Sequence, residues 1–296
     1  MEIYLDNGLI SETNWKNLIE NLKKENVISI NNSGDALKIL DKCILDAMKK
    51  RIKDLENFGV LYSGALDSTV IAKICNDLET DFTCYTIGFE DSKDVIYSEK
   101  AAELLSLKLK IKILSQNDLE DALKNVVRIL NNTNPVYISI ACVTYLALKF
   151  AKDNNEKVVL NGLGAEEIFC GYQRHLLGNS QAIHLESWRG LKEMWKVDLE
   201  RDYLIAQHLN VGVRTPFMDK DLIVNAMRIN PSLKINNNMK KIILRRYAEG
   251  LSIPKEIAYR PKTAGQYGSK INSEIKKIAK KNNFVSVKDY LETLKK

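Results

Sequence analysis

Residues 60–68 read Val60-Leu61-Tyr62-Ser63-Gly64-Ala65-Leu66-Asp67-Ser68: an apolar run, a turn of small residues, then the start of a helical pattern. Such a turn aims backbone N–H groups and the positive end of a helix dipole at one point, which suits an anion. Ser63 and Ser68 add hydroxyl donors. Asp67 repels a phosphate unless a cation stands between them, so the pattern implies Mg²⁺. The GxxxxGK[ST] lysine pattern of γ-phosphate-cradling NTPases is missing from the chain. An ordinary strand–helix turn capped by serine or aspartate fits the same residues.

The elements that must position this turn follow from the spacing of apolar residues. Trp15, Leu18, Ile19 and Leu22 have helical spacing, and Val27 to Ile30 looks like a short strand. In the turn cluster 31–35, Ser33 or Asp35 is placed to cap the next helix. Leu37, Leu40, Ile44, Ala47, Met48 and Ile52 mark a long amphipathic helix over about 36–55. Beyond it, strands at 59–62, 82–88, 108–114 and 157–160 alternate with helices at 67–78, 98–107, 117–131 and 139–153. That alternation predicts an α/β fold, a doubly wound parallel sheet with helices on both faces. After Asn161 the strand signal fades and helices dominate. The expected division is a short N-terminal element (1–33), a nucleotide-binding core (34–175) and a helical part (176–296).

Composition narrows the classes. With 296 residues and 45% hydrophobic content, the chain is long and apolar enough for a sizeable core. No run approaches the roughly 20 uncharged apolar residues of a membrane span, and the start is not a secretory signal, so the expected location is cytoplasmic. A net charge of +6 leaves a nucleic-acid partner open, but the dense lysine cluster at 276–283 reads as a solvated helix face. Five cysteines without a CxxC pair argue against a disulfide framework or a zinc ribbon. The three histidines have no metal-ligand spacing, and Trp188, Met194 and Trp195 read as helix-face packing.

Four segments together carry a resemblance. The first is Ser63-Gly64-Ala65-Leu66-Asp67-Ser68. The second, residues 158–172, runs from a strand through Asn161-Gly162-Leu163-Gly164-Ala165-Glu166-Glu167 to Gly171-Tyr172. The third is Arg214-Thr215-Pro216-Phe217-Met218-Asp219, and the fourth runs from Lys241 to Gln266 and contains Arg260-Pro261-Lys262. In order and spacing they resemble the pyrophosphate loop and accompanying motifs of the asparagine synthetase C-terminal domain family, over residues 34 to about 270. The resemblance implies an ATP pyrophosphatase of the adenine nucleotide α-hydrolase-like fold, in which a carboxylate is adenylated and ammonia then displaces AMP. It implies Leu61, Ser63, Ile87 and Gly162 around adenine and ribose, and Ser63, Gly64 and Ser68 on the pyrophosphate. Asp67 and Glu166 would hold Mg²⁺. Lys262 would stabilise charge on the α-phosphate, with Arg260 assisting the leaving pyrophosphate.

The chain also departs from that pattern. Glutamine-dependent members begin with a glutaminase domain whose nucleophile is a cysteine after the first Met; here residue 2 is Glu2. The expectation is therefore free ammonia, a separate glutaminase partner or another nucleophile. Leu163, Ile138 and Gly212 stand where the family carries acids, which leaves the ATP side intact and the second step open. The default substrates are aspartate and ammonia. Other readings are an adenylating enzyme acting on another acid, a tRNA base or a sulfur donor (Cys84, Cys142 or Cys170), and a nucleotide-binding pseudoenzyme subunit. Arg214 and Asp219 also fit a structural ion pair, with Asp219 capping the helix that follows.

Overall fold

The computed structural model describes residues 8–236, 239–261 and 263–295. Its centre is a parallel sheet of five strands among the described residues: β1 (Asn57–Leu61), β2 (Asp81–Gly88), β3 (Leu109–Ile113), β4 (Val158–Leu160) and β5 (Gly212–Arg214), in the spatial order β3-β2-β1-β4-β5. The middle strands are apolar almost throughout and nearly every residue of β2 is buried, as a sheet covered on both faces demands. The helices before the sheet are α1 (Glu12–Lys24) and α2 (Ser33–Ile52). Within the alternating region come α3 (Leu66–Asp77), α4 (Lys93–Leu104), α5 (Gln116–Leu130) and α6 (Pro135–Asp153). After β4 come α7 (Ala165–Ile168), α8 (Ser180–Met194) and α9 (Glu200–Leu209). Beyond β5 lie α10 (Lys220–Arg228), α11 (Ile242–Gly250), α12 (Lys255–Ala258), α13 (Gly265–Gly268), α14 (Ile271–Lys281) and α15 (Val287–Thr293).

The chain winds outward from β1 to β2 and β3, then crosses back through α5 and α6 to place β4 on the other side of β1. At that reversal the connections leave the carboxyl ends of β1 and β4 in opposite directions, which opens a crevice. The sheet draws on both sides of residue 175, because β5 pairs with β4 in the register Val158↔Gly212, Val159↔Val213 and Leu160↔Arg214. Three residues are too few to raise a strand signal, so the sequence missed β5.

Other expectations need correcting. Val27 to Ile30 is not a strand: only Ile30 bridges, to Ile229, and Val27 is exposed. The cap of α2 is Asn32, whose side chain accepts from the Asp35 amide at 2.9 Å; neither Ser33 nor Asp35 fills that role. The expected lack of a membrane span needs no such correction, although α6 alone among the described helices is long and apolar enough to cross a bilayer. It packs instead against α5, α9 and β2 as a core helix. The lysines of α14 are exposed along one face, as expected.

Arg214 and Asp219 are both structural and both tie to α2 and the turn after it. Arg214 donates to the two carboxylate oxygens of Asp54 at 2.5 and 2.8 Å and to the Arg51 carbonyl at 2.7 Å. Asp219 caps α10 through the amides of Asp221 and Leu222 and accepts from the Arg51 guanidinium at 2.6 Å. At the far side, α1 packs on α8: Trp15 is fully buried and its indole N–H donates to the Leu191 carbonyl at 2.9 Å. Removing that ring opens a cavity and orphans a carbonyl. Trp15→Ala is expected to lower stability by about 3–5 kcal/mol in urea unfolding.

Candidate active site

Between Leu61 and Ser68 the backbone must turn sharply. Gly64 takes φ +62°, and a Cβ there would lie 2.5 Å from the Tyr97 carbonyl oxygen, so only glycine fits. The loop closes on itself: the Ser63 amide donates to Ser68 Oγ at 3.3 Å, and Ser68 Oγ donates to the Ala65 carbonyl at 3.2 Å. At the end of β4, Gly162 stands so close to α3 that a Cβ would meet Asp67 Cβ at 2.9 Å. The adjacency of β1 and β4 thus presses two functional segments together.

A cavity of about 260 Å³ opens at this point. Leu61, Ser63, Asp67, Ser68, Gly162 and Glu166 all line it, so residues about 100 positions apart in sequence meet in one cavity. Gly64 shapes the loop from behind. Ile87 is buried in β2, paired with Lys112 of β3, and is not among the described residues lining the cavity. Lys262 lies outside the described residues, while its neighbours Thr263 and Gly265 line the cavity.

Arg260 holds the loop. Its guanidinium donates to the Ser63 carbonyl at 2.9 Å, pairs with Asp94 at 3.3 Å and stacks on the Tyr97 ring at 3.9 Å. Burial pushes the Asp94 carboxyl up to about 6, with Arg260 opposing the rise.

Lys241 carries the feature that the sequence did not single out. Its Nζ sits 2.8 and 2.6 Å from the two oxygens of Asp67 and 2.6 Å from Oε1 of Glu166. The side chain is buried, and burial pulls the ammonium below the ordinary lysine range, with Asp67 opposing. Lysine is mostly a surface residue, so composition gave no hint. The only signal was its place at the head of the fourth segment.

Two hard oxygen donors converging on one point fit Mg²⁺, and the ammonium marks that point as a cation position. The described residues hold no cluster of three or more His, Cys, Asp or Glu able to bind a metal. Two carboxylates are fewer ligands than Mg²⁺ takes, so an ion held here would need further oxygen ligands.

Glu167 and Tyr172 also line the cavity, and the Tyr172 hydroxyl donates to Glu167 Oε1 at 2.7 Å. Burial, then the nearby Asp198 charge, pushes the Glu167 carboxyl from the ordinary 4.5 to about 7. Of the three positions without the expected acid, Leu163 lines the cavity. Ile138 is buried in α6, and Gly212 lies at the amino end of β5, opposite Val158. All five cysteines are buried as free thiols, and burial raises each pKa, that of Cys75 to about 12. None lines the cavity. Buried His175 accepts from the Tyr172 amide, and buried His184 from the Trp188 indole.

Comparison with known proteins adds independent observations. The family model described as asparagine synthase matches residues 40–182 and 176–283. The putative asparagine synthetase (glutamine-hydrolyzing) 1 of Methanocaldococcus jannaschii is 30% identical, over 94% of this chain and 59% of its own length. The asparagine synthetase (glutamine-hydrolyzing) of Mus musculus is 30% identical, over 83% of this chain and 45% of its own. The chain thus spans about half the length of these relatives. Among solved structures, NMN synthetase from Francisella tularensis is a distant match, 14% identical with a TM-score of 0.45, over 89% of this chain and 93% of that one.

The position of Glu167 gives a pH signature. Its folded pKa lies above the unfolded one, so its stabilising contribution is full below about 4.5 and is lost as pH rises through about 7. Glu167→Gln removes that dependence. Relative to wild type, the variant is expected to gain on the order of 2 kcal/mol between pH 5 and pH 8 in urea unfolding.

Proposed function

Because the chain belongs to the asparagine synthase family, we propose that it is an ATP-dependent, AMP-forming amide ligase. It adenylates a carboxylate, releases pyrophosphate and passes the acyl group to ammonia. Aspartate is the default acid. The observation that carries this reading is the convergence of Ser63, Asp67, Ser68, Gly162 and Glu166 at the carboxyl ends of β1 and β4.

The residues divide the work. The Ser63–Ser68 loop and the amino end of α3 receive the β- and γ-phosphates, because amide groups and hydroxyls converge there. Asp67 and Glu166 would hold Mg²⁺, which neutralises charge on the departing pyrophosphate when bound. Arg260 keeps the loop in shape through Ser63, and so acts as a positioning residue for the leaving group. Lys262 contributes charge stabilisation at the α-phosphate while the carboxylate attacks. A free carboxylate has no competent leaving group, so adenylation must precede attack by nitrogen. The site chiefly orients reactants and offsets charge.

In this reading the nitrogen reaches the site as ammonia, free or released by a glutaminase, in an enzyme of the cytoplasm. Leu163 in the cavity favours a second reading, in which adenylation is retained and the acid or the nitrogen donor differs from aspartate and ammonia. An apolar side chain there neither deprotonates nor orients an incoming amine. Sulfur transfer finds no support, since it needs an accessible thiolate and all five thiols are buried and held protonated.

Pyrophosphate release from Mg-ATP with aspartate and ammonium, in wild type and Lys262→Ala, tests the proposal. Release that depends on aspartate, yields AMP and asparagine, and falls by about 10²–10³ in the variant is the expected outcome. ATP binding without pyrophosphate release under aspartate removes aspartate as the acceptor. Failure with a panel of carboxylates leaves a nucleotide-binding subunit without ligase chemistry.

A further inference from the structure

Lys241 does more than pair with an acid. Three carboxylate oxygens, two from Asp67 and one from Glu166, lie within 2.8 Å of its Nζ, so each ammonium proton has an acceptor. The packing is built around this arrangement. A Cβ on Gly171 would fall 2.3 Å from Lys241 Cε and 1.7 Å from Glu166 Oε2, so glycine is required where the chain passes the cluster. Lys241 itself takes the left-handed conformation, φ 59° and ψ 31°, at the start of α11. That backbone is costly for a side-chain-bearing residue and persists only where the surroundings enforce it.

We propose that Lys241 is a built-in ammonium counter-ion. It holds the divalent-cation position between Asp67 and Glu166 while nucleotide is absent, so the chain takes Mg²⁺ only as its nucleoside triphosphate complex, not as the bare ion. The proposal rests on the reading of Asp67 and Glu166 as cation ligands. Its logic is one of charge and ligand count. Asp67 and Glu166 already share one ammonium. A bare dication would add two positive charges beside it, lack most of its octahedral ligands and turn the ammonium out of its place. A triphosphate changes all three terms: it brings oxygen ligands, it brings compensating charge, and it offers the displaced ammonium new acceptors. The flexible four-carbon stem lets the ammonium shift without moving α11.

The test combines thermal unfolding with binding of Mn²⁺, a paramagnetic stand-in for Mg²⁺, followed by electron paramagnetic resonance. Wild type, Lys241→Met and Asp67→Asn are each compared with divalent ion alone, ATP plus chelator, and both together. The expected wild type ignores the bare ion and is stabilised by Mg-ATP. Lys241→Met is expected to unfold at lower temperature, to recover with bare Mg²⁺, and to bind bare Mn²⁺ at least about tenfold more tightly than wild type, since Asp67 and Glu166 lose the ammonium that they share. Wild type that binds bare Mn²⁺ as tightly as Lys241→Met, with the binding lost in Asp67→Asn, overturns the proposal. If Lys241→Met does not fold, wild type decides alone: bare Mn²⁺ bound through Asp67 overturns the proposal, and uptake only with ATP supports it. Wild type that binds no Mg-ATP, while Lys241→Met gains a bare-ion site, overturns both the ligase reading and the nucleotide-coupled uptake, and leaves only the place of Lys241 at the cation position standing.

Discussion

Two carboxylates, Asp67 and Glu166, meet in a partly buried cleft, and they cannot share it without a cation. Every nearby feature serves or tolerates that constraint. The carboxylates meet because β1 and β4 are neighbours at the point where the sheet reverses direction. They come close enough because Gly162 and Gly171 have no side chain to hold the segments apart. The neutralising charge comes from Lys241, 174 residues beyond Asp67 in sequence. A helix of the C-terminal part thereby completes an electrostatic unit begun on the sheet. Removing the lysine takes from both carboxylates the ammonium that they share, and weakening a buried ion pair in this way is costly.

Much of this was legible in the sequence, for identifiable reasons. The turn from Tyr62 to Ser68 could be read because its glycine, serines and aspartate each do something local: bend, donate or attract a cation. β1 and β4 could be read because a sheet covered on both faces needs short apolar runs, and β2 because its threonines and aromatics favour a strand. The resemblance of four ordered segments was sound, as the family match across residues 40–283 bears out. What escaped was non-local. β5 is three residues long and is defined by its pairing with β4, not by its own pattern. Val27 to Ile30 has the composition of a strand but a single bridging partner. Lys241 resembles any other lysine until the fold surrounds it with acids.

The Arg214–Asp219 segment shows how a motif can be chemical in appearance and architectural in effect. Arg214 grips Asp54 and the Arg51 carbonyl, while Asp219 caps α10 and takes the Arg51 guanidinium. Together they lock the end of α2 to β5 and α10. That lock fixes the outer edge of the sheet beside β4, and β4 delivers Gly162 and Glu166. The segment therefore reaches the cleft through two layers of packing, with no side chain of its own among the described cavity-lining residues.

The two halves of the cleft are constrained to different degrees. On the loop side each position is held by its neighbours: Gly64 by its φ and by the Tyr97 carbonyl, Gly162 by Asp67, Gly171 by Glu166 and Lys241, and the Ser63 carbonyl by Arg260. A substitution there breaks the loop before it alters the chemistry. Leu163 is held differently. Its amide donates to Asn161 Oδ1 at 3.1 Å, a contact any residue but proline can make. Its side chain can therefore change without disturbing the loop, and with it the polarity presented to whatever meets the activated acyl group. Constraint on one side and freedom on the other make the loop side the part of this cleft that tolerates least change. In the proposed reaction, residue 163 is where the choice of acceptor or nitrogen source is free to diverge.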